Sequence, residues 1–212
     1  MKIIDVKALS ISDVKVITFE RFVDNRGFFT EPYRKSDSVS HPELKTFRNL
    51  EFVQVNESFS KKGVCRGLHF QWNPFMGKLV RTVCGRMVDM VLDIRKDSPT
   101  LGRIIAYDMP AKVEDTFNEW IWVPPGFAHG NFFTEDSRIE YMCSGEYSPG
   151  CEAGISPLAE DIDWSICGPE LKKLFDIVIK RSGILSEKDR NALSLTNWLR
   201  DSRSDNFIYG SC

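Results

Sequence analysis

The sequence of 212 residues is defined first by what it lacks. No uncharged apolar run approaches the roughly 18 residues a membrane-spanning helix needs, so the chain reads as soluble. Charge of one sign is not in excess either. The 28 Lys and Arg stand against 30 Asp and Glu, a net charge of −2, so there is no general electrostatic pull toward nucleic acid or an anionic membrane. A few arginines gathered at one mouth can still hold a small anionic ligand without moving that balance. The six cysteines, Cys65, Cys84, Cys143, Cys151, Cys167 and Cys212, contain no C-x-x-C pair, and the N-terminus MKIIDVKALSISDVKV lacks the long apolar stretch of a secretory leader. Reduced thiols and a cytoplasmic location are therefore expected. Cys65, Cys84 and Cys143 each sit inside an apolar run and read as buried small hydrophobes. Repeats and low-complexity linkers are missing as well, which leaves one domain over residues 1–212.

What is present is mainly β. VKVITFERF, EFVQVNESF, VCRGLHF, KLVRTV, RMVDMVLDIR, RIIAYDM, EWIWVP, GNFFTE and RIEYMCS are short, rich in β-branched and aromatic residues, and separated by turn residues. That spacing suits a β-sandwich or barrel as far as about residue 165. Beyond it, over residues 166–212, the pattern turns helical: LSEKDRNALSLTNWL starts with Ser186 as an N-cap and continues with acids in the first turn, which predicts a helical extension packed on the barrel. In RMVDMVLDIR, alternation puts Val88, Met90 and Leu92 on one face and Asp89, Val91 and Asp93 on the other. The second face then carries carboxylates either into an enclosed space or into solvent.

The three histidines differ in setting. His41, beside Pro42 among polar residues, reads as a surface-loop residue. In VCRGLHFQ, alternation groups Gly67, His69 and Gln71 on one face and Arg66, Leu68 and Phe70 on the other, with Gly67 leaving room for something to approach. His129 closes VPPGFAHG, where Pro124 and Gly126 shape a turn before a strand. The P-x-G-x-x-H arrangement resembles the second half of the cupin motif pair and raises the question of a metal. A metal-binding cupin supplies H-x-H and a carboxylate from its first motif, whereas here one histidine is followed by Phe70 and Gln71, so no tightly bound metal is expected.

Seven blocks in order then carry a specific resemblance: DNRGFFTE, FVQVNES, GVCRGLHFQ, GKLVRTVCG, VDMVLDIRKDSPTLG, VPPGFAHG and EYMCSGEYSPG. From about Val16 to about Asp189 the chain resembles the dTDP-4-dehydrorhamnose 3,5-epimerase family of metal-independent cupins. The resemblance implies a cupin-type jelly roll with a few short helices, a homodimer with strand sharing near the active site, no cofactor, and a part in making deoxysugars for cell-surface polysaccharide. It also implies the chemistry: inversion of carbons flanking the 4-keto group of a nucleotide-linked 6-deoxy sugar through an enolate.

On the matching positions the resemblance makes His69 the base, and an imidazole with an unperturbed value near ~6.5 suits that task. Asp189 in LSEKD would hold its tautomer, which gives the tail a catalytic reason to fold back. Lys78 would stabilise the enolate oxygen. Tyr141 would be the acid on the opposite face, with Tyr147 in nucleotide binding. Arg66 would grip the pyrophosphate. Arg26, Phe28 and Glu31, in DNRGFFTE, would reach a neighbouring subunit's nucleotide. Gln54 and Asn56 share a strand face and would contact phosphate or sugar, and Asp89 and His129 would stand behind the base and carbonyl.

Three departures from the family pattern stand out. Asn131 follows Gly130 where the family often has an apolar aromatic, QWNPFM is bulkier than a generic loop, and the tail runs on past Asp189 through Trp198 and Phe207. A single-carbon epimerase on a related sugar nucleotide would use the same base and acid. A metal-dependent cupin such as a dioxygenase would need the missing H-x-H, and a non-catalytic binder would need no acid on the opposite face.

Overall fold

The computed structural model describes residues 2–211. Twelve strands appear in chain order: β1 (Ile3–Ala8), β2 (Lys15–Glu20), β3 (Phe22–Asp24), β4 (Gly27–Phe29), β5 (Gln54–Ser60), β6 (Cys65–Gln71), β7 (Lys78–Asp93), β8 (Ile104–Ala111), β9 (Phe117–Val123), β10 (Phe127–Phe133), β11 (Ser137–Cys143) and β12 (Glu152–Gly154). All pairings among them are antiparallel. Four α-helices accompany them, α1 (Lys35–Ser40), α2 (Pro169–Ser182), α3 (Glu187–Arg190) and α4 (Leu195–Arg200), with 3₁₀ segments at Pro42–Asn49 and Ser202–Asn206. Among the described residues no helix is long and apolar enough to cross a membrane.

β3 and β4 pair as a separate hairpin, and the other ten strands form two sheets that share β7. One runs β1-β2-β9-β7-β11-β5 and the other β8-β7-β10-β6-β12. KLVRTV and RMVDMVLDIR, expected as separate strands, are the two halves of this one bent strand. The corner is Gly85, at φ +89°, where a Cβ would run into the carbonyl oxygen of Asp136 and the Oγ of Ser137. Only glycine adopts that conformation in that space without strain.

Between the sheets lies an apolar layer with Val16, Val80, Ile121 and Ile139 from the first and Met87, Val91, Ile105 and Phe133 from the second. The alternation expected along β7 holds. Val88, Met90 and Leu92 face outward from the second sheet onto α2 and the tail, packing with Phe175, Trp198 and Phe207. There Phe70 meets Trp198 at a ring-centroid distance of 4.6 Å and Phe207 at 5.6 Å. Burial of each such ring contributes roughly 1.5–3 kcal/mol, enough to hold a short tail in place. The first sheet's outer face is covered by Leu44 and Phe47 of the 3₁₀ segment, helical turns that the strand-rich pattern of the sequence does not announce.

The segment expected as one helix from Ser186 is two. Ser186 accepts from the Asp189 N–H and caps α3, while Ser194 accepts from Asn197 and caps α4. The chain between them leaves helical geometry to bridge Leu193 to Ile155, and the Ser156 N–H donates to the Leu193 carbonyl. Cys84 is a second correction: it is exposed, at the end of the first half of β7 beside the Gly85 corner, while Cys65 and Cys143 are buried as expected. Five cysteines are free thiols, and Cys212 lies outside the described residues.

Candidate active site

A cleft opens where the two sheets part, with a lobe of about 530 Å³ adjoining one of about 360 Å³; His69, Lys78 and Tyr141 line both. These three come from different parts of the sandwich. His69 lies on β6 and Tyr141 on β11, in opposite sheets, and Lys78 opens the shared β7. Arg66, His129, Asn131 and Asp189 complete the larger lobe, and Gln54, Asn56, Tyr147 and Glu152 the smaller.

The histidine end depends on a close backbone approach. Gly67 stands at φ +108°, and a Cβ there would come within 2.6 Å of the Gly130 Cα and 2.7 Å of the His129 carbonyl oxygen. The pair of glycines lets β6 and β10 close, with His129 and His69 directly opposite. The pairing then slips, so that Asn131 rather than Phe132 faces Arg66. This irregularity corrects the strict alternation expected along β6. Arg66 lines the same lobe as His69 rather than following Leu68 and Phe70 into the core. Its Nε donates to Ser60 Oγ at 2.9 Å, leaving the guanidinium exposed at the cleft.

Asp189 arrives from the tail. Its Oδ1 lies 2.7 Å from His69 Nε2 and its Oδ2 accepts from the Gly67 N–H at 3.4 Å. Burial pushes its carboxyl up, but the His69 hydrogen bond and charge, with Gly67 and Ser186, outweigh that and hold it below the usual range. Behind this pair is a second one, His129 Nε2 to Asp89 Oδ2 at 2.7 Å. Burial dominates there and raises the Asp89 carboxyl, with His129 opposing. Burial likewise lowers the Lys78 ammonium, against the pull of Cys143, Asp89 and Glu152. Tyr141 is raised, first by burial and then by Cys143, so its hydroxyl keeps its proton well past neutrality. Lys78 is no edge residue: its strand is paired on both sides, to Val123 and to Cys143.

In the smaller lobe Gln54 donates to Asn56 at 3.1 Å and accepts from the Tyr147 N–H at 2.8 Å, so the two polar side chains share a face as expected. Tyr147 is exposed at the rim and its hydroxyl donates to Glu152, which also takes Lys188 Nζ at 2.7 Å. Glu152, Lys188 and Ser58 also border the cleft, and no motif singles them out, although Lys188 adjoins Asp189 in the same block. His41 sits at a helix junction, its Nδ1 accepting from the Glu43 N–H, remote from the cleft.

Three expected site residues are not brought to the cleft of their own chain. Arg26 and Phe28 belong to the small β3–β4 hairpin and line a separate hollow there. Arg26 pairs with Asp24 at 2.6 Å, Phe28 lies under Arg21, and Glu31 pairs with Arg34. The hairpin exposes Phe22, Val23, Phe28 and Phe29, the last at 65%. Among the described residues no group of three or more His, Cys, Asp or Glu converges as a metal site would.

Residues 8–197 match the profile of the family described as dTDP-4-dehydrorhamnose 3,5-epimerase. The enzyme of that name from Salmonella typhimurium is 40% identical over 160 residues, 73% of this chain and 82% of that protein. The dTDP-6-deoxy-D-glucose-3,5-epimerase of Legionella pneumophila, solved in complex with dTDP-4-keto-L-rhamnose, superposes with a TM-score of 0.77 at 29% identity, over 96% of this chain and 97% of that one. A 4-keto-6-deoxy sugar epimerase from the novobiocin biosynthetic gene cluster of Streptomyces spheroides gives a TM-score of 0.78 at 27% identity, over 100% and 96%.

Proposed function

The chain belongs to the dTDP-4-dehydrorhamnose 3,5-epimerase family, and from that premise we propose how its own residues carry out the inversion of carbons 3 and 5 of a nucleotide-linked 4-keto-6-deoxy sugar. The observation that carries the reading is the position of His69, bonded to Asp189, on one sheet and Tyr141 on the other, with Lys78 between them on the shared strand. A proton α to a ketone becomes removable when the enolate oxygen is stabilised. With Asp189 accepting from Nε2–H, His69 keeps Nδ1 as its unprotonated nitrogen and takes the proton as general base; Asp189 then steadies the imidazolium. Lys78 presents its cation to the enolate oxygen. Tyr141 returns a proton from the opposite face, which inverts the carbon. His129 and Asp89 back the carbonyl end of the cleft.

Arg66 is assigned to the diphosphate, for which an exposed guanidinium is suited. Gln54, Asn56 and Tyr147 hold the sugar and nucleotide in the adjoining lobe. The exposed hairpin carries Arg26, Phe28 and Glu31 to the cleft of a second copy, making the working unit a homodimer; its apolar exposure, remote from its own cleft, supports that reading. The chemistry as written consumes no cofactor. A cytoplasmic setting and a role in supplying deoxysugars for cell-surface polysaccharide complete the proposal.

The test is incubation with dTDP-4-keto-6-deoxyglucose in deuterated water. Deuterium at carbon 3 and carbon 5, read by mass spectrometry and NMR, is the expected result. Label at only one carbon would assign a single-carbon epimerase, and no exchange would overturn the reading.

A further inference from the structure

Asn131 is placed where a substrate can meet it and is left with nothing of its own to bond. It lies on β10 two residues after His129, and period-2 alternation puts both side chains on the cleft side, where both line the larger lobe. It is 4% exposed, and no hydrogen-bond donor among the described residues reaches its Oδ1. The residue paired with it on β7 is Asp89, whose Oδ1 is also unpartnered. Ser58 Oγ, facing the same lobe, is unpartnered too. A buried amide oxygen without a donor is costly, and the cost is relieved when a ligand brings an O–H to it.

The register says which part of the ligand that is. Asn131 is the cross-strand partner of Arg66 and stands two residues from His129, which faces His69. It therefore lies beside the arginine assigned to the diphosphate, on the strand that leads on to the pair facing the base assigned to carbons 3 and 5. The sugar hydroxyl between those two points is the one on carbon 2, next to the carbon that bears the phosphate. We infer that Asn131 is a specificity-determining residue that accepts a hydrogen bond from the carbon-2 hydroxyl and selects against 2-deoxy sugars, an inference that rests on the epimerase reading above. Carbon 2 does not react, so the bond is equally present in the bound ground state and the transition state. Its loss should raise KM and leave kcat nearly unchanged.

The experiment compares deuterium incorporation into dTDP-4-keto-6-deoxyglucose and into its 2-deoxy analogue, for the unaltered protein and for Asn131→Leu. The unaltered protein is expected to prefer the hydroxylated substrate on the order of 10–100-fold in kcat/KM, through KM. In Asn131→Leu the preference should collapse to within about threefold. Equal use of both substrates by the unaltered protein overturns the inference without any variant, as does a preference that survives in Asn131→Leu. In either case exchange itself still occurs and the epimerase reading stands. Exchange into neither substrate removes that reading and this one with it.

Discussion

Two histidine–carboxylate pairs serve one cleft, each with Nε2 2.7 Å from a carboxylate oxygen, yet they are tuned in opposite directions. The His69 side chain is 36% exposed, whereas that of His129 is 8%. The Asp189 carboxylate has a further donor in the Gly67 N–H, the residue's own N–H donates to Ser186 Oγ and fixes the turn it sits on, and the carboxyl is held below the usual range. Asp89 is wholly buried, has His129 as its one side-chain hydrogen-bond partner among the described residues, and is pushed above that range. Equal bond lengths therefore do not make equal pairs. The open pair with its ionised carboxylate suits the proposed uptake of a proton and stabilisation of the resulting imidazolium; the closed pair, whose carboxylate is costly to ionise, suits the proposed part of holding a ring in place.

That contrast can be broken by mutating each carboxylate in turn. Asp189→Asn should lower deuterium exchange on the order of 10²-fold, because the imidazolium loses its counter-charge. Its folding free energy should move by less than about 1 kcal/mol, since an amide oxygen can keep the Gly67 bond. Asp89→Ala should do the reverse, removing one partner of a buried pair at a cost of about 3 kcal/mol, read as a shift of the denaturant midpoint, with exchange in the folded protein reduced less than tenfold. If Asp89→Ala instead lost exchange as deeply as Asp189→Asn with no loss of stability, the two pairs would be one machine and the distinction would fail.

How far the sequence foretold this depends on whether each feature is local. The outward face of β7 was legible because alternation at Val88, Met90 and Leu92 is a property of the strand alone. The joint at Gly85 was not: a glycine between two apolar runs looks like a turn, and only Asp136 and Ser137, packed against it from fifty residues on, make it a corner within one strand. Arg66 was placed on the wrong face for a related reason, since the slip beside Gly67 is set by the approach of Gly130 on another strand. Both serine caps in the tail are visible in the sequence, but the break between α3 and α4 is made by the bridge from Leu193 to Ile155. His69, Lys78, Tyr141 and Asp189 could be named together only through the ordered blocks, because 120 residues separate His69 from Asp189 and no spacing rule spans that. Arg26, Phe28 and Glu31 stay unassembled because what they are proposed to meet belongs to another copy.

The smallest expected effect concerns Lys78, on the strand that the two sheets share. Lys78 is lowered by burial, whereas Tyr141 is raised by burial and by Cys143, so on raising the pH the lysine gives up its proton more readily than a free lysine and the tyrosine less readily than a free tyrosine. Once Lys78 is neutral, the proposed enolate has lost its stabilising charge. The alkaline limb of the kcat profile should accordingly fall below the ordinary lysine value of ~10.4, and it should belong to Lys78. Lys78→Arg keeps a cation that does not titrate in the accessible range, at some loss of rate because a planar fork fits a single oxygen less well. In that variant the limb should recede toward higher pH. A limb that stays where it was would assign it to another group and would remove Lys78 from the enolate.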